Sequence, residues 1–155
     1  MKYTLLYIIM VVGCLSLSAC QQRPLYYHYE HVAAEGWEAT DTLHFFTPAM
    51  KQGGEYPIQV GVSIESNYPF RNLSVIVAHR KRPAGPWSLD TLMCHFMDEK
   101  GRPLGAGTSL SQQLFPLTTL QVHEGDSLEF AIFHNMRRET LPGVNSVGIR
   151  ITATN

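Results

Sequence analysis

From Tyr56 to Glu65 apolar and polar positions alternate: Tyr56, Ile58, Val60, Val62 and Ile64 share one side, and Pro57, Gln59, Gly61, Ser63 and Glu65 the other. A period of two sends successive side chains to opposite faces of an extended chain, so this segment predicts a strand buried on one face. One-sided burial marks an antiparallel sheet, because parallel strands are covered on both faces. Shorter copies follow. Leu73, Val75 and Val77 alternate, while Ile76 and Ala78 make the second face apolar too, as in a central strand. Leu92, Cys94 and Phe96 form another set, Leu128, Phe130 and Ile132 the next, and Val147, Ile149 and Ile151 the last. Leu43 with Phe45, and Leu120 with Val122, add two short strands.

Turn residues separate these runs: Gly53-Gly54, Asn67-Tyr68-Pro69, Arg82-Pro83-Ala84-Gly85-Pro86, Asp98-Glu99-Lys100-Gly101, His123-Glu124-Gly125-Asp126 and Leu141-Pro142-Gly143. Gly101 suits a positive-φ hairpin position, and Gly143 after Pro142 suits a type II turn. The pattern predicts an all-β fold, an antiparallel β-sandwich (immunoglobulin-like or jelly-roll-like) of about seven to eight strands. Gly105 to Phe115 matches no strand pattern and reads as a loop or one short helix at the sandwich edge.

The first residues carry a different signal. Lys2, an apolar run from Leu5 to Leu17 and the small pair Ser18-Ala19 are the charged, apolar and cleavage regions of a secretory signal. As a helix the run would reach roughly 20 Å, short of the ~30 Å hydrocarbon core. Leu17-Ser18-Ala19-Cys20 resembles a bacterial lipobox, whose cysteine takes a diacylglyceryl group before cleavage and whose new amine is then acylated, for instance with palmitate. Two or more chains make such an anchor effectively permanent. The chain thus divides into a cleaved signal (1–19), a lipid-anchored tether (20–32) whose tyrosines either begin the fold or lie near the headgroups, and a β-sandwich domain (33–155). Gln21-Gln22-Arg23-Pro24 contains no acidic cluster resembling a surface-export signal, so an outer-membrane anchor facing the periplasm is expected.

A formal net charge of −1 and the lack of any basic block argue against a nucleic-acid partner. With Cys14 removed and Cys20 lipidated, Cys94 is the one free thiol, expected to behave as a small buried hydrophobe. The seven histidines are scattered; only His28 and His31 are close, and a pairing of His95 with His134 across strands is a weak metal candidate. HExxH, GxSxG and a glycine-rich loop between strand and helix are missing from the sequence. No metal, no cofactor and no enzymatic activity are expected.

Four segments taken in order bring a family into view: Gly36-Trp37 with Asp41-Thr42-Leu43-His44-Phe45; Tyr68-Pro69-Phe70-Arg71-Asn72-Leu73; Asp98 through Gly107; and Met136 through Ile151. Behind a lipobox, they resemble the GldH family of gliding-motility lipoproteins, and the resemblance spans nearly the whole mature chain. One departure is Ser146, where the family often has an acidic residue. The resemblance implies a non-catalytic cell-envelope lipoprotein working beside other envelope proteins, in a gliding or secretion machinery.

Tyr68, Phe70, Arg71, Arg137 and Arg150 are the candidate partner surface. Arg150 sits opposite the apolar face of its strand, where an ion pair with Glu129 or Asp126 is the simpler role. The alternative function is a lipid-anchored glycan- or ligand-binding module presenting Trp37, Trp87 or Tyr68. Finally, Asp41-Thr42-Leu43, Asp90-Thr91-Leu92 and Asp126-Ser127-Leu128 resemble O-glycan acceptors of exported proteins, although the same triplets make ordinary strand starts. Thr42, Thr91 and Ser127 are the candidate acceptors, Thr42 foremost because it lies nearest the tether.

Overall fold

A computed structural model describes residues 23–154 apart from 106 and 108. The signal segment and the lipidation candidate Cys20 lie outside the described residues. Ten strands form: β1 (Tyr26–His31), β2 (Trp37–Glu38), β3 (Leu43–Phe46), β4 (Gly54–Glu65), β5 (Asn72–Arg82), β6 (Ser88–His95), β7 (Leu110–Val122), β8 (Ser127–His134), β9 (Thr140–Leu141) and β10 (Val144–Ile151). One four-stranded sheet has the order β1-β10-β4-β7, a second has β3-β8-β5-β6, and β2 with β9 makes a two-residue ribbon. Every pairing is antiparallel. Of the two sandwich types expected, the order matches the jelly roll. Eight of the nine connections leave one sheet for another, and only β5–β6 joins sequential neighbours within a sheet by a hairpin.

The predicted alternations become the core. Tyr56, Ile58, Val60, Val62 and Ile64 face Leu73, Val75, Val77, Phe130 and Ile132 across the sandwich, closed by Val147, Ile149 and Ile151. Cys94 is fully buried among them, and burial pushes its thiol up to about 12.

Three expectations need correction. The supposed tether is shorter, because Tyr26–His31 pairs along its whole length with β10 and is part of the sheet. Gly105 to Phe115 is neither helix nor loop throughout, because β7 starts at Leu110. Its pattern is hard to read because Leu110 and Leu114 point to solvent while Ser111 and Gln113 are half-buried; further along, the register slips between Ile58 and Gln59, which face Thr118 and Pro116. Above that bulge the half-buried positions are Ser111, Gln113 and Phe115; below it they are Thr118 and Leu120. A slip of one residue exchanges the faces, and a proline is tolerated on an edge strand. Thirdly, Asp90-Thr91-Leu92 lies inside β6 rather than before it.

The strands of the two four-stranded sheets run between two ends. At the near end, where β1 begins, lie the connections 47–53, 83–87 and 123–126. At the far end lie 32–42, 66–71, 96–109 and 135–143.

Candidate functional site

The four segments that carry the family resemblance run through the four far-end connections, and the structure brings them into contact. Trp37 is fully buried, pairs with Leu141, lies edge-on to His134 with ring centres 5.4 Å apart, and donates from Nε1 to the Asp41 carbonyl at 3.0 Å. The Leu141-Pro142-Gly143 turn rests on Asn67-Tyr68-Pro69. Glu65 N–H donates to the Gly143 carbonyl at 2.8 Å, and a Cβ on Gly143 would stand 2.8 Å from the Tyr68 backbone. Gly143 has φ 77°, as its turn requires.

Asp98 organises the third segment. Its carboxylate accepts from the backbone N–H of Lys100 and Arg102 at 2.9 Å each, and from Arg102 Nε at 2.7 Å. The Arg102 amide above all holds that carboxyl below the usual range. Gly101, at φ 75°, closes this turn. The Arg71 guanidinium donates to the Asp98 carbonyl and ties the second segment to the third.

On this frame sits a hollow of about 400 Å³ walled by Phe70, Ser74, Met93, Met136, Arg137 and Arg138. Met93 is 45% exposed, and Arg137 and Arg138 are exposed without an ion pair among the described residues. The sulfurs are loosely held, Met93 Sδ by Asn72 Nδ2 at 3.2 Å and Met136 Sδ by the Ser74 amide at 3.4 Å. Methionines beside an aromatic ring make an adaptable apolar floor, and two unpaired guanidinium groups on the rim suit acidic or carbonyl groups of a protein partner.

Phe70 and Arg137 therefore meet at one surface, with Arg71 beside it. Tyr68 does not: it is buried, its hydroxyl donates to the Asn72 carbonyl at 2.9 Å, and its ring stands edge-on to Phe70 and Phe96. The turn set by Pro69 sends it inward as the support of Phe70. Arg150 lies elsewhere, on the outer face of the β1-β10-β4-β7 sheet, and donates to Gln59 Oε1 at 2.8 Å. Glu129, its expected partner, is paired with Arg80 at 2.7 Å instead. Met93, Met136 and Arg138 had been missed; an exposed methionine on a strand gives no sequence signal distinct from a core position.

The glycines of the final strand have a separate role. Tyr29 lies flat over Gly148 and Gly61, where an added Cβ would come within 2.6 Å of the ring base and 1.8 Å of the hydroxyl, respectively. Gln112 reaches over from β7 to donate to Tyr27 at 2.9 Å. The outer face of this sheet thus clasps β1.

The remaining candidates fall apart. His134 is buried on β8 and His95 is exposed on β6, with β5 between those strands, and no group of metal-binding residues occurs among the described residues. Of the three aromatic rings expected to form a glycan platform, Trp37 and Tyr68 are core residues and Trp87 covers Arg80 at 4.6 Å. Thr42 and Thr91 are exposed and Ser127 is half-buried. Thr42 is near the tether in sequence only, since it lies at the far end just before β3.

The family model described as GldH lipoprotein matches residues 24–151. The gliding motility lipoprotein GldH of Flavobacterium johnsoniae is 27% identical over 99 residues, which is 64% of this chain and 61% of that protein. The chain thus matches about three-fifths of the relative's length. Among solved structures, a family GH115 4-O-methyl-α-glucuronidase is similar with a TM-score of 0.49 and 13% identity, over 88% of this chain and 18% of the enzyme. A CocE/NonD family hydrolase from Staphylococcus aureus has a TM-score of 0.42 and 8% identity, over 86% and 34%. Likeness at these scores does not bear on function.

Proposed function

Since the chain belongs to the GldH lipoprotein family, we propose that it is a non-catalytic envelope lipoprotein that docks another envelope protein onto the far-end surface of Phe70, Met93, Met136, Arg137 and Arg138. Lipid on Cys20 holds it to the outer membrane, the domain faces the periplasm, and the partner belongs to a gliding or secretion machinery. The observation that carries this reading is convergence. Segments scattered over more than a hundred residues, the ones by which the family is recognised, build the frame of one exposed apolar and cationic surface.

The test is co-isolation from detergent-solubilised envelopes of the native host. Arg137→Ala with Arg138→Ala should lower recovery of the partner while leaving unfolding within about 0.5 kcal/mol per substitution, as for surface changes in general. Cys20→Ser should abolish palmitate incorporation. Unchanged recovery from the double variant would refute the docking surface, and equal palmitate labelling would refute the anchor.

A further inference from the structure

The near end of the sandwich has its own apolar surface. Leu25 and Phe46 are 54% and 53% exposed, at the start of β1 and the end of β3. Beside them lies a hollow of about 410 Å³ walled by Leu25, Tyr26, Pro48, Ala49, Met50 and Tyr56. A second hollow, of about 480 Å³, adjoins it along Leu25, Tyr26 and Pro48 and follows the flank between the edge strands β1 and β3. Arg23 and Lys51 are exposed at this end.

Chain length says what covers it. Cys20 precedes Leu25 by five residues, and five residues span at most about 17 Å. A lipid on Cys20 therefore keeps the near end within about 17 Å of the membrane surface. A tether so short raises the effective concentration of the surface at the bilayer to about the millimolar range, so a few apolar side chains suffice for contact. The far end is a full strand away: the 12 residues of β4 rise about 36 Å.

We propose that Leu25, Phe46, Pro48 and Ala49 rest in the interface of the membrane that holds Cys20, with Arg23 and Lys51 against lipid phosphates. The sandwich then stands upright and presents the Phe70–Met136–Arg137 surface about 36 Å from the bilayer. This inference rests on the lipid-anchored reading and adds an orientation to it. The Tyr29 clasp fits the same arrangement, since it locks the first strand after the anchor onto the sheet.

The experiment uses the mature lipidated protein in phosphatidylethanolamine–phosphatidylglycerol vesicles that contain a headgroup-spin-labelled lipid. A fluorophore is placed through Ala49→Cys or Arg138→Cys; Cys94 is buried and Cys20 is blocked by its lipid. Quenching should be several-fold stronger at position 49 than at 138. Equal quenching, or stronger quenching at 138, overturns the orientation. To separate contact from tethering, a Gly/Ser insert of about 20 residues after Gln22 relaxes the tether to roughly 25 Å. Quenching at position 49 should persist with the insert and fall when Leu25→Glu and Phe46→Glu are added. Its loss with the insert alone overturns the contact. Intact mass keeps the two readings apart: an unlipidated Cys20 defeats both, whereas lipidated protein with equal quenching defeats the orientation only.

Discussion

Gly61→Ala is a sharp test of the architecture because one methyl group meets one ring. The new Cβ would lie 1.8 Å from the Tyr29 hydroxyl and 2.5 Å from Cζ, the far end of a side chain that can swing away. The cost is then the burial of that ring. A fully buried aromatic side chain hides ~150–250 Å², and Tyr29 is half-buried. Roughly 100 Å² is at stake, or about 2.5 kcal/mol at ~25 cal/mol per Å². Alanine in place of glycine in a strand returns ~0.5–1 kcal/mol through the unfolded chain. The net loss should be about 1.5–2 kcal/mol, a fall in melting temperature of about 5–8 °C for a domain of this size. Urea and thermal unfolding of a double-mutant cycle with Tyr29→Ala checks the origin of the loss. With the ring gone, Gly61→Ala should cost nothing or stabilise slightly. Gly148→Ala is the contrast: its Cβ would also stand 2.6 Å from the His28 backbone carbonyl, so Tyr29→Ala should not rescue it. If Gly61 and Tyr29 instead add within about 0.5 kcal/mol, the ring does not seal the glycine floor and the clasp is wrong.

Cys94 should resist alkylation in the native protein at neutral pH, because its thiol, pushed up to about 12 by burial, is protonated and covered; it should react fully in denaturant, and rapid native labelling would refute its placement. For the O-glycan triplets, we expect at least one attached glycan, on Thr42 first because its side chain is exposed outside any strand. Intact mass of delipidated protein from the native host should exceed that of protein from a host lacking the pathway, and equal masses would leave the triplets as turn and strand residues.

The sandwich was legible because core side chains recur at every second residue along its strands, as from Tyr56 to Ile64. It was illegible where a strand's apolar side chains do not face the core. Leu110 and Leu114 point outward while Ser111 and Gln113 are half-buried, which hid the start of β7, and the tyrosines of β1 hid that strand because Tyr29 spends its ring on the outer glycine floor rather than in the core. For the site, sequence order identified the right segments but not their geometry. Phe70 and Arg137 come together because β5 starts where β8 ends, a pairing seen only in the sheet order. Tyr68 was misplaced because a turn proline sets backbone direction and says nothing about which side the preceding ring takes. Arg150 found Gln59 rather than a carboxylate because its neighbour is β4, not β8.

The docking claim is tested most directly by a photo-crosslinking residue placed at Met136, at the floor of the far-end hollow, and in parallel at Gln121 on the near part of β7. Irradiation of intact cells of the native host should give a discrete adduct with one envelope protein from position 136, none from 121, and loss of the adduct when Arg137→Ala and Arg138→Ala are added. An adduct of equal yield from both positions, or one from 136 that survives removal of both arginines, would contradict the account.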